Sequence, residues 1–146
     1  MEDKKDYKKI FENERAEWKE KIQVISINLK DIKTVAKAQI DLFSNRQILL
    51  EYSYNLAGII SKLNSKYRSD KSKKMKEYSE NTNFRYGSTE KNVLIDGDLS
   101  DLTEKIELVE IHRKFIDQTV QTVDHMLYGV RQRIALEDYL RGSTVK

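Results

Sequence analysis

Apolar residues recur along this chain at alternating steps of three and four, the spacing of a helix that buries one stripe. Phe11, Trp18, Ile22, Ile25, Leu29, Ile32, Ala36 and Phe43 form a first seam once Arg15 and Gln39 fill its two gaps. This predicts a helix over about residues 6–43, roughly five heptads long. Ile10, Val24, Ile27, Val35 and Ile40 widen the stripe, so this helix is expected to touch two neighbours. Ser44 followed by Gln47 fits a capping box, in which each side chain satisfies an orphan backbone N–H. A second helix is therefore predicted over about 45–79, with its own seam of Leu49, Tyr52, Leu56, Ile59 and Leu63. Gly58 lies inside that seam, where it would permit close helix contact.

Residues 79–98 are rich in Ser, Asn, Thr, Asp and Gly and have no helical period, which predicts a linker. Within it, Asn92–Ile95 is expected to be extended and Gly97 to sit in a turn. The last helix is predicted over about 99–141. Leu99, Leu102, Ile106, Val109, Arg113, Ile116, Val120, Val123, Leu127, Val130, Ile134 and Glu137 keep strict 3-4 spacing. Asp98 or Ser100 suits its start and Gly142 a left-handed stop. The expected architecture is one all-α, elongated helical domain of three long helices with coiled-coil-like seams over residues 1–146. Rods this long have thin cores, so assembly through helix packing is expected to bury the seams.

Composition sharpens the picture. There is no Pro and no Cys among 146 residues, so helices run uninterrupted and thiolate zinc sites and cysteine nucleophiles are excluded. A mean hydropathy of −0.72 and the absence of a long apolar run predict no membrane span. Glu2-Asp3-Lys4-Lys5 after Met1 is not an apolar leader, so a cytoplasmic address is expected, in the host cytoplasm if the protein is viral. His112 and His125 are 13 residues apart, about 140° around a helix, and cannot share one metal within a chain. Both are expected to be partly exposed structural residues. Asp96-Gly97-Asp98 with Asp101 lacks the further ligands of a calcium loop and reads as a turn and cap. No metal, no cofactor and no catalytic residues are expected, so the protein is read as a non-enzyme.

Charge singles out one segment. The net charge is only +3, yet residues 62–86 carry eight Lys/Arg against three Asp/Glu. Lys62, Lys66, Arg68, Lys71, Lys73, Lys74 and Lys76 crowd into fifteen residues. Tyr67, Lys71, Lys74 and Tyr78 fall at i, i+4, i+7 and i+11, a helix face that alternates aromatic with basic side chains. Phe84, Arg85 and Tyr86 follow. Cations suit phosphates and flat rings suit unstacked bases, so single-stranded nucleic acid is the expected partner. Lys62, Lys66, Tyr67, Arg68, Lys71, Lys73, Lys74, Lys76, Tyr78 and Arg85 are the candidate contacts.

The same segments resemble the UvsY family, recombination mediators of T-even-type phages. Lys73-Lys74-Met75-Lys76-Glu77-Tyr78-Ser79 is similar to the family's Lys-x-Arg stretch followed by acid, aromatic and Ser. Its basic pair falls on Lys74 and Lys76, or on Lys73 and Met75 if register to Tyr78 is kept. Val93-Leu94-Ile95-Asp96-Gly97-Asp98-Leu99 resembles the family's approach to its last helix, and Phe115, Val120, Val123, Arg131 or Arg133, Ile134, Tyr139 and Arg141-Gly142 resemble its tail. The likeness spans about residues 47–142. One Tyr precedes Ser79 where the family has a pair. The resemblance implies a ring-like homo-oligomer that binds single-stranded DNA, helps displace a single-strand-binding protein and loads a RecA-like recombinase, in DNA recombination and repair. Two other readings use the same residues: a structural coiled-coil scaffold or assembly protein without nucleic-acid binding, and a binder of anionic surfaces through residues 62–76.

Overall fold

The computed structural model describes residues 4–80 and 85–144. Among them the fold is all-α, with four helices: α1 (Lys4–Asn28), α2 (Val35–Glu80), α3 (Ser88–Asp98) and α4 (Ser100–Thr144). The all-helical expectation holds, but the count is four rather than three. No described helix is long and apolar enough to cross a membrane.

The first break falls earlier than the capping signal at Ser44 indicated. Residues 29–34 make the turn, held by side chains rather than by Gly or Pro. Asp31 Oδ1 accepts the Lys33 N–H at 2.9 Å, an Asx turn. Thr34 Oγ1 donates to the Asn28 carbonyl at 2.6 Å, closing the end of α1, and the Thr34 carbonyl accepts the Ala38 N–H at 3.0 Å to open α2. Ser44–Gln47 are interior to α2. There Asn45 Nδ2 donates to the Asp41 carbonyl and Gln47 Nε2 to Glu51 Oε1, so no cap is needed. Ile32 and Phe43, both assigned to the first seam, are 56% and 47% exposed.

The expected linker over 79–98 contains α3. Gly87 precedes it and has no side chain to cap with, but Glu90 Oε2 accepts the Gly87 N–H at 3.4 Å, one half of a capping box. Asn92–Ile95 is helical, not extended, and Gly97 belongs to the same helix. Only Ile95 of α3 is buried, which leaves no apolar period to detect. α4 runs on through Gly142 to Thr144, and no described glycine takes a positive φ.

The chain packs as two compact units. One comprises the residues up to Phe11 and those of Asn55–Arg113; the other comprises Glu12–Tyr54 and the residues from Lys114 onward. In the first unit Leu56, Leu63, Ile95, Leu99, Ile106 and Val109 are buried. His112 is fully buried as well, contrary to the expectation of partial exposure, and its ring stacks on Phe11 at 4.1 Å and 11°. Phe11 stacks in turn on Tyr7, over which Lys105 Nζ lies at 4.9 Å. His125, in the other unit, is exposed.

In the second unit Ala38, Leu42 and Leu49 of α2 are buried with Ile25 of α1 and Ile116, Val120, Val123, Leu127 and Val130 of α4. Ser53 takes the inward place instead of the expected Tyr52, and its Oγ donates to Asp117 Oδ1 at 2.6 Å. Arg46 and Asp124 pair at 2.6 Å. That carboxylate raises the Arg46 pKa, first by the hydrogen bond and then by charge. Trp18 is half-buried rather than central, with Lys21 Nζ 4.8 Å from its ring. Gly58, in the first unit, has no neighbour within 4 Å of where a Cβ would lie, so no close helix contact depends on it.

Candidate nucleic-acid interface

All but one of the candidate contacts lie on the last four to five turns of α2, within the first unit. Leu56, Leu63, Tyr67, Asp70, Lys74 and Tyr78 continue one inward line along the helix at steps of three, four or seven, and each is buried or half-buried. The proposed aromatic–basic face of Tyr67, Lys71, Lys74 and Tyr78 therefore does not point outward as a set. Tyr67, Lys74 and Tyr78 belong to the packed side and Lys71 alone is exposed.

The packed members are tied down. The Tyr78 hydroxyl donates to Asp98 Oδ2 at 2.6 Å and its ring meets Tyr86 edge-on at 5.4 Å. Lys74 Nζ lies 3.9 Å from the same carboxylate and 3.6 Å from Glu77. The hydrogen bond to Asp98 raises the Tyr78 pKa, helped by partial burial and the nearby carboxylate charge, because each disfavours the phenolate. Lys91 Nζ donates to Ser79 Oγ at 3.3 Å, a further tie between α3 and the end of α2. Tyr67 lines a shallow cleft with Asp96, Ser100, Thr103 and Glu104.

The outward side carries the cations. Lys62, Lys66, Arg68, Lys71, Lys73 and Lys76 are all exposed. Lys62, Lys66 and Lys73 share one edge of this surface. Arg68, Lys71 and Lys76 line an open groove of about 490 Å³ together with Ser72, Met75 and Ser79. Arg68 Nη2 donates to Ser65 Oγ at 3.2 Å, and Lys71 Nζ sits 5.9 Å from the Tyr67 ring centroid. Lys76 makes a long pair with Glu80 at 3.9 Å, weak at this exposure. Arg85 is exposed in the stretch that precedes α3, and Phe84 lies outside the described residues.

The serines were missed in the sequence. Ser65, Ser69 and Ser72 recur at i, i+4 and i+7 and are exposed between the cations, and Ser79 is exposed just beyond them. That spacing was legible and marks a hydroxyl-bearing outer face. Among the described residues no group of three or more His, Asp or Glu could hold a metal ion. No family model, curated protein or solved structure matches the chain.

Proposed function

We propose that this chain is a non-enzymatic, self-associating protein that binds single-stranded DNA, assists loading of a RecA-like recombinase and helps displace a single-strand-binding protein. The observation that carries the reading is the outer face of α2, where six cations between Lys62 and Lys76 are exposed on a helix anchored by its opposite side. A helix fixed in this way presents charge without a further cost of ordering its backbone, and phosphates supply the complementary charge. The roles toward recombinase and single-strand-binding protein rest on the UvsY resemblance.

Self-association has separate support. Ile40, Phe43 and Tyr54 follow one outward line of α2 and are 65%, 47% and 73% exposed. Leu136, Tyr139 and Leu140 near the end of α4 are exposed too. Large apolar side chains repeated along helix faces are covered most economically by further copies of the same chain. Several basic faces on one assembly then act together, so modest affinity per face becomes tight binding.

The same apolar faces favour the second reading, a scaffold that assembles but leaves nucleic acid alone. Fluorescence anisotropy of a labelled 30-nucleotide single strand, and then its duplex, separates the two across a salt series. The mediator reading expects sub-micromolar, salt-sensitive binding that prefers the single strand. No binding below ~10 μM protein at low salt would leave the scaffold.

A further inference from the structure

Resting on the DNA-binding reading, we infer that the strand is held by its phosphodiester backbone in the groove lined by Arg68, Lys71 and Lys76, with its bases unread. Ser72, between those cations, and Ser79, just beyond them and accepting from Lys91, supply hydroxyl donors. Two observations lead there.

The first concerns the rings. Base stacking needs an exposed aromatic face. Among the described residues, the rings near the basic face are Tyr67, Tyr78 and Tyr86; all are half-buried, and Tyr78 is held at both ring and hydroxyl by Tyr86 and Asp98. The strongly exposed tyrosines, Tyr54, Tyr128 and Tyr139, belong to the other unit. The second concerns the groove. Its lining combines guanidinium, ammonium and hydroxyl donors, and the half-buried Met75 is its one apolar member. Donors of this kind match ionised phosphate oxygens, and charge assistance strengthens each bond. From Arg68 to Ser79 the groove follows α2 for about 16 Å at the helical rise. The Arg68 guanidinium is the one flat group in that lining and is tethered through Nη2 to Ser65, and the lining holds no aromatic ring and no Asn or Gln edge to distinguish one base from another.

The ligand chemistry is thus a flexible phosphodiester chain, whatever bases it carries. The test compares a labelled single strand of thirty thymidylates with an abasic strand of equal length and charge, using the full chain. The expected result is affinity for the abasic strand within about threefold of that for the thymidylate strand. Tight binding of the thymidylate strand with a loss of tenfold or more on the abasic strand would overturn the inference and leave the DNA-binding reading standing. Failure of both strands to bind would remove that reading and this one with it.

Two charge-matched variants locate the strand. R68A/K71A/K76A is expected to flatten the log–log salt dependence by about 2, at roughly 0.7 per neutralised phosphate. K62A/K66A/K73A removes the same formal charge outside the groove and is expected to change the slope by less than half as much. Equal slopes in the two variants would overturn the groove assignment. Far-UV circular dichroism is expected to show wild-type helicity for both, as substitutions at exposed helix positions should.

Discussion

The two halves of α2 differ in what they expose: large apolar side chains among polar ones in the first, a run of cations in the second. Over residues 35–54 the outer face shows Ile40, Phe43, Ile48 and Tyr54 to solvent. Over residues 55–80 it shows Lys62, Lys66, Arg68, Lys71, Lys73 and Lys76 with serines between them. Along the inner side Leu42, Leu49, Leu56 and Leu63 run through both halves with 5% exposure or less. Folding therefore fixes the inside of the helix, and the outside is free to diverge. The apolar half suits contact with other copies, whereas the basic half suits a polyanion. On the function proposed above, the contrast would assign assembly and binding to different halves of a single element.

The sharpest way to break this division of inner and outer faces is at Leu49, which is fully buried. Leu49→Ala should cost about 2–5 kcal/mol, the lost burial plus the cavity left behind. Ile40→Ala, nine residues earlier and 65% exposed, should stay within about 0.5 kcal/mol for the chain by itself. Urea unfolding followed by circular dichroism at one fixed protein concentration measures both, since assembly would otherwise shift the midpoints. Similar costs at the two sites would mean that the outer face carries fold stability and the division fails.

A smaller effect sharpens the basic half. Tyr78→Phe removes the hydroxyl that donates to Asp98 but keeps the ring against Tyr86. The folded protein holds the Tyr78 proton more strongly than the unfolded chain does. Its stabilisation is therefore complete below the ordinary tyrosine pKa of about 10 and is lost as pH rises through the higher folded value. Thermal unfolding of wild type and variant should differ at pH 7 and converge above pH ~10. A difference that stays constant with pH would remove the hydrogen bond as its cause. Affinity for single-stranded DNA should be unchanged by the substitution, because the hydroxyl it removes is held by Asp98 and Tyr78 does not line the groove.

The sequence made some of this plain and hid other parts for physical reasons. The α4 seam is legible because ten of its twelve positions are apolar over a long run, and buried Val109, Ile116, Val123 and Val130 fall on it. The α1–α2 break was hidden because Asp31 and Thr34 make the turn through side-chain hydrogen bonds, while Leu29 and Ile32 keep the apolar rhythm across it. α3 was hidden because Ile95 alone faces inward. The buried His112 was missed because its neighbour Arg113 occupies the strict heptad position, yet the histidine ring takes the inward place against Phe11. The basic cluster is visible in composition, but its orientation required one further step. Tyr67, Lys74 and Tyr78 extend the line of Leu56 and Leu63, so the pattern that recommended them as a face also places them inside. The cations off that line were left to face solvent.

The claim that α2 separates assembly from binding is tested most directly by sedimentation velocity of I40S/F43S/Y54S beside wild type, without DNA and with a short labelled single strand. Wild type is expected to sediment as an assembly and the variant as a monomer. The variant should keep the salt slope of a single basic face on an oligonucleotide too short to bridge copies. A variant that remains assembled, or a monomeric variant that no longer binds the short strand, would contradict that claim.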